Sequence, residues 1–525
     1  MGTRDDGTDT VGASRAAVGL GPPRLWPLAV LTVGATLLAA TGALPRWPGL
    51  AHLVALPPVD LYTDLRLLLT RAPSRPWFAA GLIGALAVRV SVLALMLGGL
   101  DRRRLRLAAT VYLTVLPVLL FAAEATYIAA AVLYSRLFWA GLGLMALVVV
   151  VVVALPWQGA TQLRRAWPRA WRHGLRVEVT VPYAAALIGL GVLAEQFPAL
   201  RLVAVPVSGA LTAVAVRLLA RPAPAYPRLR LAGATTLFLV ATAVFIATRS
   251  VPATDPAAPR AGSILLMSGI NSASGRGTIF GTRTDVLGYT CAQTFYFSYA
   301  GPGGGQPQGR ARCPIRTGAP YDRADTQRPF AEQVAIFTDQ VRDLPRPLVV
   351  AAHSHAVWVA WEALTGGATT QVDELILIGP FPDSPAGYLP PGRDGPGRVG
   401  SDLFRLLVPI SDWVDFHFEP DAPAARELLA PANGGATVLT DPLPPPVRAV
   451  AVTSATDLPL MPHGWRLPVA RNVCPVREAH PYLPDTPAFY HEVNRFLDDE
   501  PPLPCPPWRD WGRPMALPFG VPPMT

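Results

Sequence analysis

The sequence contains no lysine, and charge of either sign is scarce: only 15% of its 525 residues are charged. Soluble globular chains carry about 25%, so this deficit argues against a wholly soluble protein. Cysteine totals four, and none precedes Cys291, which excludes a dense disulfide scaffold. Hydrophobic residues make up 51%, which excludes a disordered chain and a coiled coil despite abundant Pro and Gly.

All basic residues are therefore Arg, and they are unevenly placed. Residues 1–250 hold 24 Arg against nine acids, a net charge of +15, whereas residues 251–525 hold 21 Arg against 27 acids, a net of −6. Two halves of opposite sign point to two environments. The arginines of the first half sit between apolar runs rather than on one basic face, which argues against a nucleic-acid partner and for membrane topology.

A hydrocarbon core of about 30 Å needs roughly 20 apolar residues per helix. Seven stretches qualify: Leu25 to Leu44, Trp77 to Leu100, Leu107 to Leu133, Leu137 to Trp157, Val179 to Phe197, Leu202 to Ala220 and Leu231 to Thr248. The first can also be read as a signal peptide cleaved near Ala43, although its apolar run exceeds the roughly 7 to 15 residues usual there. Arg102, Arg103, Arg104 and Arg106, then Arg164, Arg165, Arg169, Arg172 and Arg176, then Arg221, Arg228 and Arg230 occupy alternate loops. The opposite loops are poorer, with Arg136 and Arg201, although Pro45 to Pro76 carries four. The positive-inside rule then places residues 1–24 in the cytoplasm, 25–250 in the membrane of the cell among its lipids, and everything after about 250 outside the cytoplasm.

Cys291, Cys313, Cys474 and Cys505 all fall in that second half, as an oxidising compartment would favour. Pairing 291 with 313 and 474 with 505 is the sequence-local choice, with buried free thiols as the alternative. Arg89 and Glu124 are ionisable groups inside apolar spans. They read either as an ion pair joining the second and third spans or as a polar site for a lipid headgroup or transported substrate.

Residues 251–260 form a Pro-rich linker. From 261 to 500, short apolar runs alternate with helical patterns, which predicts a mostly parallel, doubly wound α/β domain. The expected strands are Ile264 to Ser268, Thr294 to Tyr299, Leu348 to Ala352, Glu374 to Ile378, Val447 to Thr453 and Asn472 to Val476. The expected helices are Arg328 to Arg342, capped by Asp325 or Thr326, His355 to Leu364 and Pro487 to Leu497. A long insert, 384–446, carries Leu403, Phe404, Leu406, Leu407, Trp413, Phe416 and Phe418 and reads as a cap over an apolar pocket or as a structural subdomain. The tail 501–525 is Pro-rich and held by Cys505.

The most informative segment is ProLeuValValAlaAlaHisSerHisAla, residues 347–356, in which an apolar strand meets a helix at a sharp turn centred on Ser354. Ala352 and Ala356 are small where strand and helix backbones must approach closely. With PheSerTyrAlaGly at 297–301 and TyrAspArgAlaAspThr at 321–326, this segment resembles the lipases and esterases of the α/β-hydrolase superfamily, with alanines in place of both glycines of GxSxG. The resemblance covers about half the chain and implies a serine nucleophile, a downstream acid and then a histidine. Asp457 follows the Val447 to Thr453 run and His480 follows the last strand, at positions suited to those roles. Asp383 is the alternative acid, while His463 and His491 are weaker candidates for the base. His353 and His355 flank the nucleophile and read as packing or pocket-wall residues. The expected oxyanion donors are the N–H of His355 and one from the loop at 268–273, either Ile270 or Asn271.

The expectation is a membrane-anchored serine hydrolase acting on carboxylic esters, lipid esters included, without metal or cofactor. An acyltransferase acting on a lipid or glycan acceptor and a catalytically silent sensor or binding domain are the alternatives. Oligomeric state is not readable from the sequence.

Overall fold

The computed structural model describes residues 22–158, 176–221, 255–382, 386–411, 418–429, 439–462, 464–506, 509 and 512–522. The first half is helical: α1 (Trp26–Ala40), α2 (Val59–Arg71), α3 (Arg75–Met96), α4 (Arg102–Val132), α5 (Ser135–Val152), α6 (Val177–Gln196) and α7 (Arg201–Leu219). Five of these, α3 to α7, are long and apolar enough to cross a membrane, the last with a short 3-10 lead-in from Pro198. The chain is a membrane protein. Their outward residues, such as Ile83, Leu113, Phe121 and Leu147, are more than half exposed on the isolated chain, as lipid-facing side chains are.

Two expectations about the spans change. The first apolar stretch forms a helix of only 15 residues, ending where Gly42 turns the chain at φ +81°. The Arg102 to Arg106 cluster is not a loop but the first turns of α4. Asp101 caps that helix, its Oδ1 accepting from the N–H groups of Arg103 and Arg104 at 3.1 Å each, so the helix begins before the apolar run. The expected span Leu231 to Thr248, and the arginines at 164–172 and 228–230, lie outside the described residues.

The Arg89 to Glu124 pair does not form. The segment Pro45 to Pro76, expected as a loop, is a buried 3-10 turn at Pro48–Val54 followed by α2. One helical turn separates Asp60 from Asp64, so both face α3. Arg89 donates from Nε and Nη2 to Asp64 at 2.7 and 2.8 Å and from Nη1 to the Leu53 carbonyl at 2.6 Å. Asp60 lies 3.7 Å from Arg89 Nη1 and accepts from Tyr112 at 2.6 Å. An acid pair nearer than Glu124 has taken the guanidinium. Glu124 is 2% exposed, and neither of its oxygens has a hydrogen-bond partner among the described residues.

The second half is an α/β domain built on six parallel strands: β1 (Ser263–Met267), β2 (Thr294–Tyr296), β3 (Leu348–His353), β4 (Glu374–Ile378), β5 (Arg448–Val452) and β6 (Arg471–Asn472), in the order β2-β1-β3-β4-β5-β6. Every residue of β1 and β3 is buried, as expected of strands covered on both faces. Helices α8 (Phe330–Val341), α9 (Ala356–Thr365) and, late in the chain, α12 (Pro487–Leu497) fall within a residue or two of expectation. The cap of α8 does not: Pro329 precedes it without a side-chain cap, and Asp325 and Thr326 belong to a separate 3-10 turn. β6 is shorter than expected, and Val476 meets Ser454 only through an isolated bridge. Both sequence-local disulfides are present, Cys291–Cys313 and Cys474–Cys505.

The insert contributes α10 (Arg398–Ser411) and α11 (Pro423–Leu428), while Trp413 and Phe416 lie outside the described residues. Contacts join the two halves. Tyr127, near the end of α4, donates to the Gly397 carbonyl at 2.9 Å, and Gly400 lies against its ring, where a Cβ would meet Cε1 at 2.4 Å. Trp139 of α5 donates from Nε1 to the Thr456 carbonyl at 2.9 Å. The tail returns through α13 (Gly512–Ala516) to the helices: Arg66 donates to the Pro518 carbonyl at 3.0 Å, and Phe519 stacks on His52 at 4.6 Å between ring centroids.

Candidate active site

The strand order reverses direction between β1 and β3, and open parallel sheets bind ligands beyond the carboxyl ends of strands at such a switch. The segments that follow β1, β3, β5 and β6 carry the loop 268–273, Ser354, Asp457 and His480 in turn.

Ser354 occupies the turn between β3 and α9 with φ +58°, a left-handed conformation that side chains rarely adopt. Its N–H extends the sheet ladder to the Ile378 carbonyl at 2.8 Å, while its own carbonyl accepts from Val357 at 3.0 Å as the helix starts. The turn therefore projects a half-buried hydroxyl from the sheet edge. The β1 loop passes close by: a Cβ on Gly269 would lie 2.8 Å from Ser354 Cβ.

Asp457 and His480, 23 residues apart, come together. His480 Nδ1 donates to Asp457 Oδ2 at 2.6 Å, with the carboxylate fully buried and the imidazole side chain 13% exposed. The ring rests on Gly379, just past β4, and faces Phe381 at 5.3 Å between centroids. His480 therefore stands beside the same β4 end that accepts the Ser354 N–H. No direct hydrogen bond joins the Ser354 hydroxyl to the ring, and such bonds commonly tighten only when substrate binds.

His353 has a part that sequence reasoning did not assign. Its Nε2 donates to the His480 carbonyl at 3.1 Å, with the two rings 5.1 Å apart. Burial, followed by the neighbouring His480, holds its imidazole down to about 3, so it stays neutral and anchors the His480 backbone. The only signal in the sequence is the HisSerHis pattern itself. His355 is buried beside Tyr299 and Trp358, and burial lowers it to about 4. Neither ring nitrogen of His355 has a partner among the described residues.

For the oxyanion donors the structure separates the two loop candidates. The Asn271 N–H is taken by Thr326 Oγ1 at 3.0 Å, and Asn271 Oδ1 accepts from Gln327 at 3.0 Å, at a backbone φ of +62°. The N–H groups of Ile270 and His355 have no acceptor among the described residues. Tyr299 braces the same loop by donating to the Ser268 carbonyl at 2.6 Å.

Ser354 and His355 open onto a cavity of about 50 Å³. Its other walls are apolar: Ile270, Trp358 and Phe381 from the sheet loops, Phe418, Ala424, Ala425, Leu428 and Leu429 from the insert, and Val132 and Leu133 from the end of α4. The insert thus lies over the serine, as a cap does.

The remaining candidates stand apart or out of view. Asp383 and His463 lie outside the described residues, and His491 is half-buried on α12. Among the described residues no cluster of His, Cys, Asp and Glu could hold a metal ion. Comparison with protein-family models, curated proteins and solved structures returns no match to this chain.

Proposed function

We propose that the protein is a membrane-anchored serine hydrolase of carboxylic esters, with Ser354 as nucleophile, His480 as general base and acid, and Asp457 as the carboxylate that orients the imidazole. The observation carrying this reading is the His480–Asp457 hydrogen bond at 2.6 Å, formed beside the strand end that receives the strained Ser354 turn. The fold would be that of the α/β-hydrolases, and the order Ser, Asp, His along the chain agrees with that resemblance.

In this mechanism the buried carboxylate fixes the Nδ1–H tautomer, leaving Nε2 to accept the serine proton as Oγ attacks the ester carbonyl. The N–H groups of Ile270 and His355 receive the negative charge that develops on the carbonyl oxygen. His480 then returns the proton to the leaving alcohol, and water repeats the sequence on the acyl-enzyme. The apolar cavity accepts the acyl part and keeps bulk water from the reacting atoms.

The domain would lie on the extracytoplasmic side, in keeping with the Arg-rich start of α4 and with two disulfides in the α/β half. The direct test is Ser354→Ala in the full-length protein in detergent. Hydrolysis of a p-nitrophenyl ester and covalent labelling by a fluorophosphonate should both vanish while the unfolding temperature stays near that of the unaltered protein. Hydrolysis that survives the substitution refutes the assignment.

A further inference from the structure

The wall of the candidate pocket contains residues from a membrane helix. Val132 and Leu133 end α4, a helix of 31 residues, and both line the cavity over Ser354. At 1.5 Å per residue the helix is about 46 Å long, whereas a hydrocarbon core is about 30 Å thick. If the core begins where the Arg102 to Arg106 turns end, it is filled by about Thr126. The last turn and a half, from Tyr127, then rises roughly 9 Å past the hydrocarbon, into the headgroup layer.

The packing agrees with that placement. Tyr127 to Ala131 are buried in the core of the α/β domain rather than facing lipid. Tyr127 also fastens the insert at Gly397, and Arg75 at the start of α3 pairs with Asp402 of α10 at 2.9 Å. Cap and membrane helices thus form one wall over Ser354, and on that placement the wall stands at the headgroup layer, where bilayer lipids carry their ester carbonyls.

Resting on the serine-hydrolase reading, we propose that the end of α4 is the acyl-recognition wall of the site, that Leu133 sets which acyl groups fit, and that the substrates are esters of apolar acyl chains presented by bilayer lipids. Leu133 holds φ +58° at the helix end, which turns the chain toward α5. The cavity beside Ser354 is narrow, about 50 Å³, and Leu133 lies in its wall. In so small a space one methylene matters, since a single CH₂ changes transition-state discrimination by about 10- to 200-fold.

The test uses the full-length protein in phosphatidylcholine nanodiscs and fluorophosphonates bearing ethyl, hexyl and dodecyl chains. In the labelling step the serine oxygen forms a bond to phosphorus, fluoride leaves, and the serine proton passes to His480. The readout is the rate of Ser354 labelling for each chain length in the unaltered protein, Leu133→Ala and Leu133→Trp. Probe partitioning into the bilayer is common to all three and cancels in the ratios.

Leu133→Trp should lower the dodecyl-to-ethyl labelling ratio about tenfold, and Leu133→Ala should raise it several-fold. If Leu133→Trp does not fold, Leu133→Ala and Val132→Ala carry the test. Ratios in labelled variants that match the unaltered protein overturn the proposal while leaving the serine assignment intact. Failure of the unaltered protein to label with any chain overturns the serine-hydrolase reading, and this inference with it.

Discussion

Gly379 lies directly beneath the His480 imidazole: a Cβ at that position would stand 2.5 Å from Cε1 and 2.8 Å from Nδ1. Its φ of +63° independently favours glycine. Gly379→Ala should therefore push the ring off its seat beside Asp457. A displacement of about 1 Å in a reacting group costs on the order of 10²-fold in rate. We expect kcat to fall at least that far, with little change in KM, as steady-state ester hydrolysis would read. An unchanged kcat would mean that His480 does not act from this position.

Asp457→Asn keeps the size of the side chain but removes the charge and favours the wrong imidazole tautomer. In a serine triad that change typically lowers kcat by about 10⁴-fold. The corresponding measurement is pre-steady-state acylation, where the burst rate rather than its amplitude should fall. A loss below tenfold would point to another acid, and Asp383 would be the next to replace.

Acid should destabilise the domain through His353 and His355. Burial lowers their imidazoles to about 3 and about 4, from an ordinary 6.5. Between those values and 6.5 the unfolded chain binds protons that the folded one refuses, so stability rises with pH across that window and levels off above it. The unfolding temperature in detergent should drop between pH 7 and pH 5. Comparison of His353→Gln and His355→Leu with the unaltered protein isolates their share, and each variant should show a shallower drop.

The buried acids of the helical half should behave in opposite ways. Asp64→Ala strips a buried guanidinium of its bidentate partner, a change that typically costs about 3 to 5 kcal/mol. Glu124→Leu removes a carboxylate with no partner among the described residues and should be neutral or stabilising. Unfolding temperatures of the two variants in the same detergent decide the matter, and a severe loss on removing Glu124 would reveal a partner that this arrangement lacks.

These sites show which parts of the protein were legible in the sequence. Strands β1, β3, β4 and β5 stand out because each is an apolar run too short to span a bilayer and bounded by turn residues. The α/β-hydrolase resemblance, applied to chain order and strand ends, points to Ser354, Asp457 and His480, and the structure brings the last two into contact. Gly379 and the anchoring role of His353 are not legible in this way, because each depends on a ring brought from more than a hundred residues away. The Arg89 partner was missed for a related reason. Asp60 and Asp64 carry a helical spacing, but the Pro-rich flanks of their segment read as loop. Val132 and Leu133 looked like ordinary apolar residues at the end of a span, and only the length of α4 separates them from the bilayer.

All four cysteines are paired in the α/β half, so a maleimide mass tag should add nothing to the denatured, unreduced protein and four increments after reduction. Closing a loop of 22 residues, as Cys291–Cys313 does, stabilises by about 3 kcal/mol in the chain-entropy account. Replacing that pair with serines should lower the unfolding temperature accordingly, and a free thiol in the unreduced protein would contradict the pairing.

The docking of Pro518 and Phe519 onto Arg66 and His52 gives the α/β half a further mooring. A protease that severed the Pro-rich stretch ahead of β1 would still leave that half latched to the helices, by its own tail and by the Tyr127 and Trp139 contacts. The α/β half is thereby kept against the helices even when its linker is lost.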